Sequence, residues 1–348
     1  MLRCLTAGES HGRGIVAVLE GMPAGLKVSE GRVNEELKRR QQGFGRGRRM
    51  QIERDRVQVI SGLKGQKTLG SPIGLLIGNK DFSIERLHRV TNARPGHADL
   101  AGYLKYGAGD IREVLERASA RSTAATVAVG AVCKIFLKQV GITFAGKTVF
   151  IGGETAPSAM KRKITEAIRR KDTVGGVCEV YARGVPVGLG SYTQSDRRLD
   201  ARIAGAVMGI PGIKAVEIGL GFGYAEYFGS EVHDALSYRR ATGYSRATNN
   251  AGGIEGGISN GEEIVVRACM KPISTLMNPL DSVNVKTKKK AKAATERSDT
   301  CVVEAAGVVA ESACAFVLAD AFLEKFGQDT MVDIQGAYRE YLARLRKS

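Results

Sequence analysis

Glycine fills 44 of 348 positions and follows no collagen period. Residues lacking a Cβ at that density suit a chain that reverses often and lets backbone and ligand come close, rather than a linker or a fibrous repeat. Hydrophobic residues at 43% and charged residues at 25% are ordinary globular usage, which argues against disorder. A chain of this length can bury an adequate core as one large domain or two modest ones.

Segments rich in Val and Ile and closed by glycine predict strands at Gly14–Glu20 and 57–60. Between them Ser29, followed by Arg32, Glu36 and Arg39, starts a polar helix. An alanine-rich helix is expected from near Arg112 through Ala124, Val127 and Ala131 to about Val140, with Gly141 as its stop. Strands at 177–181, 215–218 and 264–268 then alternate with helices at 160–170, 198–208 and 302–326. Taken alone, that alternation points to a parallel sheet. No Pro- or Ser-rich linker and no internal repeat is visible, so residues 1–348 read as a single domain.

Lys and Arg total 52 against 36 for Asp and Glu, a formal charge of +16 that implies an anionic partner without choosing among metabolite, nucleic acid and membrane. No apolar run of the roughly 18 to 20 residues that span a bilayer is read, so no membrane partner is expected. The six cysteines form no CxxC pair and no zinc-type Cys/His spacing. With no secretory leader read ahead of them, reduced thiols, a cytoplasmic location and no metal site are expected.

Two motifs lack the context their chemistry needs. Residues 8–12 (GESHG) match the GxSxG turn of serine hydrolases, but only seven residues precede them and strand-like Ile15-Val16-Ala17-Val18 follows where a helix is required. Residues 141–148 (GITFAGKT) match a phosphate-binding GxxxxGK[ST] loop, yet a helix leads in and a strand leads out. No GxGxxG follows a strand.

The densest chemical signal is residues 39–50, RRQQGFGRGRRM, a glycine-spaced arginine loop directly after a helix. Planar guanidinium groups on such a loop can grip phosphate or carboxylate oxygens in pairs. A disordered RNA-binding segment shares that composition, but this one is short and embedded between folded elements. Arg112, Arg117 and Arg121 recur at helical spacing and serve equally as an anion-binding face or as partners for Glu113 and Glu116. Of the four histidines, His11 sits between Gly8 and Gly12, and His97 is bracketed by Arg94 and Asp99 in a Pro-Gly turn. Turns present catalytic groups, and either imidazole could exchange a proton near neutrality. Asp299, or Ser298, reads as a cap for the long helix that follows. The lysine run 288–292 reads as a solvated loop.

Seven stretches, in order, resemble the chorismate synthase family: TAGESHG (6–12), GFGRGRRM (43–50), RPGHAD (94–99), ERASARSTA (116–124), NNAGGIEGGIS (249–259), KPIST (271–275) and RSDTC (297–301). Together they cover nearly the whole chain. The resemblance implies an α/β (α+β) sandwich of antiparallel sheets and helices, usually a homotetramer. It also implies a trans-1,4 elimination of phosphate from 5-enolpyruvylshikimate 3-phosphate that requires reduced FMN, which an external flavin reductant would supply.

Matched by motif, the resemblance implies that His11 protonates the leaving phosphate, His97 maintains the flavin's protonation state and Asp299 assists proton transfer. Ser10, Arg40, Arg46, Arg49 and Arg121 would hold substrate. Arg117, Ala118, Ser119, Gly256, Lys271, Pro272, Ile273, Ser274, Thr275 and Arg297 would line the flavin site. Ala118 and Ser298 stand where many members have Ser and His, Glu304 stands where Pro is frequent, and the stretch between Asn79 and Arg94 is shortened. An RNA-binding protein and a serine hydrolase are the competing classes. No nucleic-acid partner is expected.

Overall fold

A computed structural model of the chain describes residues 1–47, 54–240, 243–296 and 298–347. Two four-stranded sheets enclose a layer of helices. The first holds β1 (Arg3–Ala7), β2 (Gly14–Glu20), β3 (Val57–Ser61) and β4 (Ile73–Gly78) in the order β1-β2-β4-β3. The second holds β5 (Thr143–Ile151), β6 (Gly176–Arg183), β7 (Ile213–Ile218) and β8 (Ile264–Met270) in the order β5-β6-β8-β7. Every pairing in both is antiparallel. Among the described residues the helices of eight residues or more are α1 (Glu30–Gln41), α2 (Asp99–Tyr106), α3 (Ile111–Ala118), α4 (Thr123–Lys138), α5 (Pro157–Arg170), α6 (Leu199–Met208), α7 (Val303–Phe326) and α8 (Met331–Leu345).

The α/β sandwich with antiparallel sheets agrees with the resemblance and corrects the parallel sheet suggested by alternation. The reason lies in the strand order. Helix α1 joins β2 to β3, which run in the same direction, but β4 lies between them and opposes both. Helix α6 joins β6 to β7 around β8 in the same way. The order of elements is thus used twice, although the sequence shows no repeat: α4 packs against α1 and the first sheet, and α7 against α6 and the second.

Strand alternation sets the inner faces. Ile15, Ala17 and Leu19 of β2 pair with Ile77, Leu75 and Ile73 of β4, and all six are buried. Between the sheets α4 and α7 lie in direct contact, since a Cβ on Gly130 would fall 2.5 Å from the Ser312 Cα. By length and composition two helical stretches, 111–138 and Val303–Phe326, are apolar enough to cross a bilayer, which corrects the reading that none is. Their apolar windows are 78% and 89% buried within the sandwich.

Two further expectations change, those for the Arg112 helix and the lysine run, while the rejection of GITFAGKT as a phosphate loop holds. The helix expected from Arg112 to Val140 is two helices, because Ser119 leaves helical geometry at ψ 140° and its hydroxyl accepts the Arg121 N–H at 3.3 Å. Gly146 and Lys147 lie within β5, where Lys147 pairs with Glu179 at 3.1 Å across to β6. The lysine run is partly a strand, with residues Lys290–Lys292 pairing with Asp281–Val283.

A charged group ties the helices together. Arg39 of α1 meets Glu311 of α7 at 2.7 Å and Glu36 at 2.8 Å, while Lys134 of α4 reaches both carboxylates at 2.6 Å. Burial opposes the charge on Glu311, but Arg39 and Lys134 outweigh it and hold its pKa below the ordinary range.

Candidate active site

The GESHG turn joins β1 to β2, and α3 supports it from beneath. The Ser10 N–H donates to the Glu116 carbonyl at 3.0 Å. The Glu116 carboxylate, 2% exposed, receives the His11 backbone N–H at 2.8 Å and lies 2.9 Å from His11 Nδ1. Burial works against that carboxylate's charge, yet the hydrogen bonds from His11, with Arg112 nearby, hold its pKa below the usual value. Asn79 Nδ2 donates to the carbonyls of Glu9, Ser10 and Gly12 at 3.1, 3.3 and 2.7 Å. Ser10 itself is buried, with its hydroxyl 3.2 Å from that of Ser119. A strand follows the turn, so it lacks the exposed serine and trailing helix of a hydrolase elbow.

Arg40 and Arg121 lie beside this turn, and both are almost fully buried. Arg40 donates to Thr123 Oγ1 at 2.9 Å, Asp55 Oδ2 at 3.2 Å and the Ala120 carbonyl at 3.2 Å. Arg121 donates from Nε to Asn79 at 2.8 Å and from Nη1 to Asp55 Oδ1 at 2.5 Å, and among the described residues its buried Nη2 has no partner. Burial pushes the Arg40 guanidinium down to about 10, with Asp55 countering and Arg121 and Arg46 reinforcing.

The glycine-spaced loop reaches the same region by folding onto the start of α7. Gly45, at φ +91°, accepts the Thr300 N–H at 2.8 Å, and a Cβ there would fall 2.8 Å from the Ile164 side chain. The Gly47 N–H donates to Asp299 Oδ1 at 2.5 Å, and Arg46 Nε lies 3.5 Å from Oδ2, buried and without a hydrogen-bond partner among the described residues. Asp299 therefore secures the arginine loop instead of capping the helix, whose N-cap is Val302. Glu304, at the position where Pro is frequent, accepts the Phe44 N–H at 3.5 Å.

His97 belongs to a second cluster. Its Nδ1 lies 2.5 Å from the fully buried Asp99, so Nδ1 must be the donor. Arg94 grips the same carboxylate at 2.8 and 2.9 Å and donates to Thr275 Oγ1 at 2.8 Å. Burial disfavours the Asp99 charge, but His97 and Arg94 override that and depress its pKa strongly. Lys271 and Ser274 converge on the Gly96 carbonyl. Thr173 fixes the Ile273 carbonyl at 2.7 Å, and Pro272 lies between these residues.

Other expected residues are dispersed. Arg117 donates to the carbonyls of Gly8 and Thr6 at 3.0 and 3.1 Å, bracing the turn with Ala118 and Ser119 just beyond it. Arg112 pairs with Glu296 at 2.8 Å and with Glu116 at 3.7 Å, which bears out the ion-pair reading for Glu116. Gly256, in the turn after Ile254–Glu255, precedes the start of β8, whereas residues 271–275 follow its end. Arg49 and Arg297 lie outside the described residues. Sequence reasoning missed Asp55 and Asn79, which no motif marks, and gave Glu116 no role beyond surface pairing. Among the described residues no cluster of His, Cys, Asp or Glu could hold a metal ion.

A family model described as Chorismate synthase matches residues 2–323. This chain belongs to the chorismate synthase family. The chorismate synthase of Thermoanaerobacter pseudethanolicus is 52% identical over 348 residues, covering 99% of each chain. That of Moorella thermoacetica is 50% identical over 383 residues, covering 99% of this chain and all of its own. A solved structure, "Crystal Structure of Chorismate Synthase", superposes with a TM-score of 0.82 at 41% identity, covering 100% of this chain and 99% of that one. The chorismate synthase likeness thus extends over both sheets and the helices between them.

Proposed function

We propose that this chain converts 5-enolpyruvylshikimate 3-phosphate to chorismate and inorganic phosphate by a trans-1,4 elimination that requires reduced FMN. The observation that carries the reading is a buried arginine cluster with unfilled donors, Arg121 Nη2 and Arg46 Nε, beside a histidine whose ring is set by Glu116. Such donors suit a phosphate, and their burial strengthens each contact. Because His11 Nδ1 faces Glu116, Nε2 is the ring nitrogen that would give a proton to the leaving phosphate. Arg46 and Arg121, with Ser10, would neutralise and orient the substrate, and Arg49 from the same loop would add a further cation.

The chemistry of the residues assigned to the flavin supports that assignment. Lys271 and Arg117 are cations, and Ser274, Thr275 and Ser119 carry hydroxyls, with no carboxylate among the five, which fits an anionic, acceptor-rich cofactor. When bound, reduced FMN would supply electron density and accept the hydrogen lost from the substrate ring. His97, held by Asp99, would keep a defined ring nitrogen toward that cofactor, and Asp299 would serve proton movement near the arginine loop. We further place the enzyme in the cytoplasm as a homotetramer supplied by an external reductant.

Anaerobic incubation of the protein with 5-enolpyruvylshikimate 3-phosphate and chemically reduced FMN should form chorismate, while oxidised FMN alone should not. His11→Ala and His97→Ala should each lower turnover by about 10²-fold, the scale of a lost general acid. No product from folded protein under reducing conditions would sink the reading.

A further inference from the structure

Asp55 lies two residues before β3 and belongs to no motif. Its side chain is wholly buried. The two carboxylate oxygens are divided between two guanidinium groups, Oδ2 to Arg40 at 3.2 Å and Oδ1 to Arg121 at 2.5 Å. Its backbone N–H donates to Gln41 Oε1 at 3.2 Å, which fixes the carboxylate relative to the last turn of α1.

The two arginines end up unlike. Each of the three Arg40 nitrogens has a protein partner, in Thr123, Asp55 and Ala120. Arg121 is held at Nε by Asn79 and at Nη1 by Asp55, so its plane is fixed while Nη2 is left over, buried and with no partner among the described residues. A buried donor without a partner costs free energy in the empty protein, which an incoming anion would recover. Two guanidinium groups sharing one carboxylate also leave the cluster with net positive charge.

We infer that Asp55 is a positioning residue: it locks Arg40 into the scaffold and holds Arg121 so that Nη2 faces the anionic group of the substrate. The inference rests on the proposed reaction and deepens it, since it names the donor that receives the phosphate and the residue that aims it. Lengthening or neutralising the carboxylate would let the Arg121 plane turn, and substrate affinity would fall before the chemistry of bound substrate changes.

The test is a double-mutant cycle on the full-length protein with Asp55→Asn, Arg121→Gln and both together. Inorganic phosphate binding is measured by calorimetry, KM and kcat with 5-enolpyruvylshikimate 3-phosphate and reduced FMN, and the unfolding midpoint alongside. Each single variant should weaken phosphate binding and raise KM by about 10- to 100-fold, the scale of a hydrogen bond to a charged group, with kcat changed less. The double variant should bind phosphate no more weakly than Arg121→Gln alone, because Asp55 acts through Arg121. Effects that multiply in binding, or an Asp55→Asn protein that binds phosphate as wild type does, overturn the inference. Should Asp55→Asn not fold, Asp55→Glu keeps the charge on a longer arm, and wild-type phosphate affinity in that variant overturns it equally. Wild type that shows the coupling in phosphate binding but makes no chorismate sinks the reaction and keeps the anion site. Chorismate formation without coupling sinks only the role of Asp55.

Discussion

His11 and Glu116 are joined twice: the imidazole Nδ1 lies 2.9 Å from one carboxylate oxygen, and the histidine's own backbone N–H donates to the other at 2.8 Å. One side chain therefore sets both the ring's tautomer and the turn that carries it. Glu116→Gln keeps the shape but removes the charge that stabilises a protonated ring. Under the proposed reaction kcat should fall about 10- to 10²-fold, with KM for the substrate nearly unchanged, as steady-state kinetics with reduced FMN would show.

Acidification should destabilise the fold through carboxyls that stay charged. Glu116, Asp99 and Glu311 all have folded-state pKa values below their ordinary ones despite burial, because His11, the His97 and Arg94 pair, and the Arg39 and Lys134 pair hold them ionised. A depressed carboxyl contributes stability that is fully present above its unfolded value, about 4, and is lost as pH falls through the folded value. The unfolding midpoint should be flat near neutrality and drop below about pH 4. Glu311→Gln should flatten part of that drop while lowering stability at neutral pH by about 1–3 kcal/mol, since Arg39 and Lys134 lose their buried partner but keep Glu36.

Gly130 offers a packing test in which two principles oppose. In a free helix, replacing glycine by alanine stabilises by about 1 kcal/mol. Here the new Cβ would fall 2.3 Å from that of Ser312, so α4 and α7 must move apart. Gly130→Ala should instead lose about 1–3 kcal/mol or more in denaturant unfolding. A gain would show that the crossing yields easily.

Glu304 tests a departure from the family pattern. It occupies the first turn of α7, where proline is sterically tolerated, and its carboxylate accepts the Phe44 N–H at 3.5 Å. Glu304→Pro should change unfolding stability by less than about 1 kcal/mol and leave turnover within a few-fold. A large loss of turnover would mean that the carboxylate, and not only the backbone of residues 43–47, sets the arginine loop.

Legibility in the sequence followed the range of the forces involved. Strand β2 was readable to its ends because Ile15, Ala17 and Leu19 alternate and glycine closes the run. His97 was readable because its partners, Arg94 and Asp99, lie within three residues of it. The break at Ser119 was not, since a hydroxyl accepting an N–H two residues on leaves the apolar periodicity intact. Asp55 had no local signal: what it does is decided by Arg121, 66 residues away. The antiparallel sheets were hidden for a similar reason, because β4 enters between β2 and β3 only in three dimensions.

The duplicated order of elements bears on whether the chain can be divided. Helices α4 and α7 are apolar on nearly every side, and each finds one wall in its own sheet and the other in its counterpart. Severing the backbone just after α4, at the exposed Gln139, would release two fragments of matching layout, each with one flank of its longest greasy rod stripped bare. Neither fragment should stay dispersed alone, and mixing them before they aggregate should reconstitute the sandwich, so the seam between the halves is where this polypeptide becomes one object.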